Sequence, residues 1–191
     1  MEDFDDPEAL RWANGAFTDM VATLSATQWT HATPCDKWDV RDLVRHVVRG
    51  HVRLVAAFLI PPTDAVAPLP GEFDVDRVGI LRSWCQRAES ALDDASSLVR
   101  MVEHRALGPM LGGAYARVRW VDVLVHSWDL SRSLDRPFSP PGDLAEVALK
   151  WTISCFDLLT ASGAFRPPQE ANVAASEPWE QLLLLMGRQP G

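Results

Sequence analysis

The chain lacks the marks of several large protein classes. No apolar run approaches the eighteen or so residues that a bilayer-spanning helix needs, so no membrane span is expected. Lysine is nearly absent: Lys37 and Lys150 stand against sixteen arginines, a bias we read as the codon composition of a GC-rich genome. The three cysteines, Cys35, Cys85 and Cys155, are isolated, odd in number and without a CxxC pair. That excludes a disulfide framework and a Cys-rich zinc knuckle and fits a reducing compartment; each reads as a small packing residue. Positive charge is also short. A net charge of -8 argues against a nucleic-acid partner, because phosphate contacts need a basic surface. The first residues, Met-Glu-Asp-Phe-Asp-Asp, are acidic where a secretory signal is basic and then apolar, so cytoplasmic residence is expected.

What remains is an ordinary globular composition, 47% hydrophobic and 23% charged over 191 residues, enough for one domain with a full core. Strand-like alternation is absent, and helical periodicity recurs. Residues 7–27 carry a stripe of Leu10, Ala13, Phe17, Met20, Val21 and Leu24, with Pro7 in the first turn and Asp6 as cap. A second helix follows Asp39 as N-cap and Asp42 as the first-turn acid, Trp38 stapling onto Leu43, and runs to about Ile60. Pro61, Pro62, Pro68, Pro70 and Gly71 mark a linker long enough to cross a bundle. Further helices are predicted over about 74–104, 114–134, 142–163 and 178–187, with Gly108-Pro109 and Gly112-Gly113 as breaks before the fourth. The expectation is an all-α protein: a four-helix bundle over 1–138 and a helical extension over 139–191 packed on the same domain.

One stripe of the fourth helix is too polar to be core. In Trp120-Val121-Asp122-Val123-Leu124-Val125-His126-Ser127-Trp128-Asp129-Leu130, Asp122 and His126 lie about 40° apart and Asp129 about 20° from Asp122 on the other side. Burying a charge costs several kcal/mol unless it is paired or metal-bound. An i, i+4 pair on a helix is one way to offer two ligands to one ion, and His46, in a similar apolar run of the second helix, supplies a third. Three protein ligands leave a position for water or substrate, the catalytic arrangement. Asp129 suits a partner of a ligand or a general base better than a fourth ligand.

The bland alternative is evenly matched on spacing alone, since Asp-x3-His pairs occur by chance in helices and an apolar-face histidine is usually core. His31, His51 and His104 read as surface or capping residues, with His51 the one competitor. Arg53 lies about 20° from His46 and is in reach of an anionic substrate, whereas Arg45 and Arg49 suit a solvated face. Gly50, one turn after His46, leaves room either for a ligand or for close helix packing. Trp120 and Trp128 flank the stripe; Trp128 is a candidate substrate contact, with core packing the default for both.

Three segments carry a resemblance. Pro34-Cys35-Asp36-Lys37-Trp38-Asp39-Val40-Arg41-Asp42-Leu43-Val44-Arg45-His46 resembles the opening "PCxxWxVRDLxxH" signature of the mycothiol-dependent maleylpyruvate isomerase-like proteins, within the DinB-like metalloprotein superfamily. Asp122 to Arg132 resembles their "DxxxHxWDLAR" signature. The tail segments Gly163-Ala164-Phe165-Arg166-Pro167 and Leu183 to Pro190 resemble the "GxF…LLxxxGRxP" ending of an actinobacterial branch. The resemblance implies a DinB-like four-helix bundle of up-down-down-up type, and a divalent metal, usually zinc, on His46, Asp122 and His126. The isomerase has a glutamate where Asp122 stands, so the arm here is shorter. The resemblance further implies a thiol such as mycothiol, activated by the metal to attack a small-molecule electrophile. A monomer or homodimer is expected. The isomerase's separate C-terminal α/β domain has no counterpart in the helical tail, which favours a thiol S-transferase at least as well as an isomerase. The rivals are a non-catalytic metal- or ligand-binding stress or sensor bundle, a metal-free buried polar network, and a thiol-independent metalloenzyme of secondary metabolism.

Overall fold

The computed structural model describes residues 5–59, 71–161, 163 and 177–190. Among these, the first helix, α1 (Asp6–Ala22), is capped by Asp5, whose carboxylate accepts from the Glu8 N–H at 2.7 Å. The cap is therefore one residue earlier than predicted. Asp6 instead ties helices together, as described below. The second helix, α2 (Val40–Phe58), starts as expected, with the Asp39 carboxylate accepting from the Asp42 N–H at 2.8 Å.

The third segment corrects the sequence reading. The helix predicted over about 74–104 divides into α3 (Arg77–Ser90), α4 (Ala95–Val99) and a strand, β1 (Met101–His104), which pairs with β2 (Gly108–Leu111). Asp94 restarts the chain after α3 by accepting from the N–H and hydroxyl of Ser96 at 2.9 and 2.8 Å. Gly108 closes the hairpin at φ +76°, a conformation that disfavours residues with a Cβ. Strands of four residues are too short for alternation to stand out from a helical pattern, which is why none was expected.

Then comes α5 (Gly112–Ser133), whose first turn contains the Gly112-Gly113 pair read as a break. The helix predicted over 142–163 is two, α6 (Gly142–Ser154) and α7 (Phe156–Ala161), separated where Cys155 leaves helical geometry and its N–H returns to the Trp151 carbonyl. The last helix is α8 (Pro178–Leu185). The Pro61–Pro70 linker and the Gly163–Pro167 signature lie wholly or mostly outside the described residues.

The chain forms two compact units, one of Met1–His104 with Pro109–Pro137 and one of Arg105–Gly108 with Phe138–Gly191. In the first, α1, α5, α2 and α3 form a closed ring of packed neighbours, so the consecutive helices α1 and α2 lie across a diagonal. Leu10, Phe17, Leu43, Leu81, Trp120 and Leu124 are essentially inaccessible and fill the centre. Each such side chain contributes about 1.5–3 kcal/mol of burial. Every residue of α5 from Val123 to Ser131 is buried, as expected of a helix apolar on most sides. Both α2 and α5 also pack against β1. In the second unit, α6 packs on α7 and α8, with the Phe138 and Trp179 rings edge to face at 6.0 Å. No described helix is long and apolar enough to cross a membrane.

Asp6 links the start of α1 to α5. Its carboxylate takes two bonds from Arg117, at 2.6 and 3.1 Å, and one from the Trp120 indole N–H at 3.0 Å. Replacing Asp6 with Ala leaves a half-buried guanidinium and a buried indole N–H unpaired. We expect Asp6→Ala to lower unfolding free energy by about 2 kcal/mol in urea titration. A loss below about 0.5 kcal/mol would place Asp6 among ordinary surface pairs.

Candidate metal centre

The polar stripe of α5 meets α2 in register. His46 Nε2 lies 3.6 Å from Asp122 Oδ2, and His126 Nε2 lies 3.5 Å from Asp122 Oδ1. The two imidazoles meet edge to face with centroids 4.8 Å apart. One donor atom from each of the three residues lies within 4.8 Å of the others. These separations exceed an ordinary hydrogen bond. Each nitrogen–oxygen separation is close to one donor–donor edge of a tetrahedron around zinc, about 3.3–3.4 Å for bonds of roughly 2.0–2.1 Å, with the two histidines facing different oxygens of Asp122. The residues therefore fit a divalent ion. The side chains of His46 and Asp122 are 33% and 29% exposed against 8% for His126, so an open position would face solvent on the side of the first two.

Asp129 stands on the other side of the His126 ring. Fully buried, it binds Nδ1 through Oδ2 at 2.9 Å, which directs the opposite nitrogen, Nε2, toward Asp122 and His46. A carboxylate behind a histidine fixes its tautomer and strengthens its donor nitrogen.

Two neighbours were not legible as site residues. Cys35, read as a packing residue, donates its thiol to Asp129 Oδ2 at 3.2 Å. It is held in a closed loop between the bridged residues Ala32 and Asp39, in which its N–H bonds the Thr33 hydroxyl and Lys37 turns at φ 66°. The second is Arg119, one turn before Asp122, whose guanidinium donates to Asp122 Oδ2 at 2.9 Å. The signal for Cys35 was its place in the Pro34–Trp38 segment; for Arg119 it was the i, i+3 spacing to Asp122. Trp38 also belongs here, its ring 4.8 Å from His46 and 6.0 Å from His126.

Other candidates fall elsewhere. The space at Gly50 is taken: a Cβ there would collide with the Arg119 guanidinium, so it is a close-packing glycine and not a ligand gap. His51, expected at the surface, is wholly buried with no hydrogen-bond partner for either nitrogen among the described residues. His104, expected near a helix end, sits on β1 with its ring against Tyr115 at 4.6 Å. His31 is exposed, near the Ser133 carbonyl at 3.1 Å. Arg53 is half-buried on α2, and Trp128 packs beneath the Arg132 guanidinium at 5.7 Å, about 200° round α5 from His126. The structure thus brings together His46, Asp122, His126 and Asp129, with Arg53 farther along the His46 stripe and Trp128 on another face.

The electrostatics favour the ligand form of Asp122 and His46 and oppose it at His126, whose neutral form a metal requires. Burial works against ionising Asp122, but His126, Arg119 and His46 outweigh it and hold its carboxyl well below the usual range. Burial lowers the His46 pKa despite Asp122. Burial also disfavours charge on His126, yet the carboxylates on both sides of its ring raise its pKa well above the ordinary value.

Fold and site together define a DinB-like, all-α bundle carrying a His/Asp/His cluster. The chain belongs to the family described as the mycothiol maleylpyruvate isomerase N-terminal domain, whose model matches residues 10–131, the span from α1 to the end of the polar stripe. It is also similar to two uncharacterized proteins of Mycobacterium tuberculosis, from strains CDC 1551 / Oshkosh and H37Rv, each 28% identical over 119 residues. Those matches span 62% of this chain and 62% of each relative. No solved structure matches the chain significantly.

Two measurements probe this geometry. Asp129→Asn should keep the fold and weaken cobalt(II) binding about 10–100-fold by loosening His126; unchanged affinity would remove Asp129 from the centre. His104 supplies a pH test. Burial, then the Arg119 charge, with a smaller push from Arg53, lowers its pKa from 6.5 to about 4 despite Asp122. The unfolded chain therefore binds more protons between these values, and stability falls as pH drops through the window. Urea midpoints at about pH 7 and about pH 5 should differ less for His104→Phe than for the parent, and an identical pH dependence would contradict the assignment.

Proposed function

We propose that the protein is a metal-dependent enzyme that uses a low-molecular-weight thiol of the mycothiol type as nucleophile or cofactor, as an S-transferase or an isomerase. The observation that carries this reading is the three-donor cluster of His46, Asp122 and His126, with one donor atom of each within 4.8 Å of the others and one side open to solvent. Membership of the mycothiol isomerase family supports the thiol.

A divalent ion held by these residues, zinc in the first instance, supplies Lewis acidity that keeps a bound thiol deprotonated at neutral pH. The remaining work falls to the chain. Asp129 fixes the His126 ring, and its buried place behind that ring supports orientation over contact with substrate. Trp38 forms an aromatic wall beside His46 and His126. Arg53 is the proposed contact for an anionic group on the substrate, since it carries positive charge along the His46 stripe. The place of Trp128 under Arg132 supports packing over its proposed substrate contact. The thiolate sulfur would then bond to an electrophilic carbon; in transfer a leaving group departs with the electron pair of its bond, and in isomerisation the pair of a carbon–carbon double bond shifts away, the resulting single bond rotates, and expulsion of the thiolate restores the double bond. We assign the protein to the cytoplasm, where such thiols are reduced.

A metal-free polar network is the second reading, favoured by one observation: Arg119 already satisfies one oxygen of Asp122. Single variants separate the two. His46→Ala and His126→Ala, folded by circular dichroism, should lose stoichiometric metal and thiol-dependent turnover. Retention of both by both variants would overturn the enzyme reading.

A further inference from the structure

The antiparallel seam of α2 and α5 continues past the three donors, and the next rung is a buried cation. Gly50 lies one turn beyond His46 on α2, and Arg119 lies one turn before Asp122 on α5. The Arg119 guanidinium occupies the surface that the missing Cβ of Gly50 leaves open. From there it donates to Asp122 Oδ2 at 2.9 Å and to the Val47 carbonyl at 3.4 Å. Its side chain is 6% exposed, and its Nε is buried with no partner among the described residues. An arginine this deeply buried against a prospective metal ligand costs desolvation that burial of an aliphatic side chain would avoid.

The charge at the centre suggests what that cost serves. Among the described residues, Asp122 and Asp129 are the carboxylates seen in direct contact with the two histidines. With both ionised, and the histidines neutral as ligands, they cancel one dication and leave a neutral centre. Arg119 makes it cationic. Because its hydrogen bond falls on Oδ2, it also draws electron density from the carboxylate that would hold the metal. We propose that Arg119, seated in the gap at Gly50, is a positioning residue that keeps this centre net positive, so that the open position selects an anionic donor over a neutral one. The inference rests on the metal reading above and deepens it: the ligand class is a small anion, a thiolate included.

The sign of the effect on metal affinity distinguishes this role from simple support. A residue that only oriented Asp122 would, when removed, weaken metal binding. A repelling cation, when removed, strengthens it.

The experiment uses the full-length protein loaded with cobalt(II), followed by visible absorption during titration with azide (anionic) and with imidazole (neutral). Relative to the parent, Arg119→Gln should bind cobalt on the order of tenfold more tightly, and its preference for azide over imidazole should fall on the order of tenfold. Arg119→Lys, which retains the charge, should keep most of that preference. Gly50→Ala, which retains the arginine but displaces it, should move both quantities in the same direction as Arg119→Gln, and it decides the matter if Arg119→Gln does not fold. Weaker cobalt binding, or an unchanged azide-to-imidazole ratio, in the folded variants would overturn the role of Arg119 while leaving the metal centre standing. Failure of the parent to bind cobalt would overturn both.

Discussion

Charge taken out of water must be answered by charge or hydrogen bonds close at hand, and that constraint organises the packing of α2 against α5. Asp122 is the point on which it bears. Its carboxylate faces two imidazoles and a guanidinium, each delivered by a different register position of the two helices. The other features of the centre follow from holding that group in place. Gly50 is small because Arg119 must come close, and Asp129 is buried because His126 needs a partner on its far nitrogen.

The surrounding bundle makes this arrangement rigid. Three of the four central groups lie on one stripe of α5, a helix buried on all sides from Val123 to Ser131. His46 comes from the amphipathic α2, whose start is fixed by the Asp39 cap. Sites built on helices hold their geometry better than sites built on loops. The one loop contribution, Cys35, is itself pinned: the Thr33 N–H bonds the Trp38 carbonyl at 3.0 Å, closing the turn that presents the thiol to Asp129. A thiol there donates to an oxygen that already serves His126, so the loop and the helix share one acceptor.

The helices and the polar stripe were legible in the sequence because both rest on periodicity. Angular spacing around a helix placed Asp122, His126 and Asp129 together, and an apolar run marked α2 as the source of the third donor. The hairpin of β1 and β2 escaped because four-residue strands carry too few alternations to compete with a helical pattern. Arg119 and the role of Gly50 escaped for a different reason. Their meaning lies in the register between two helices separated by some fifty residues of chain, which no single-helix pattern encodes. Cys35 was read as packing because an isolated cysteine usually is, and only the fold brings its loop beneath the far end of α5.

The central claim is that His46, Asp122 and His126 hold a divalent metal with a position open to a thiol. X-ray absorption spectroscopy of the zinc-loaded protein, recorded without and then with mycothiol, tests it most directly. The account predicts a nitrogen and oxygen shell at about 2.0–2.1 Å with two imidazoles and no sulfur, joined after thiol addition by one sulfur at about 2.3 Å. Sulfur already present in the thiol-free protein would place the metal on Cys35 instead. A shell unchanged by the thiol would contradict the proposed chemistry.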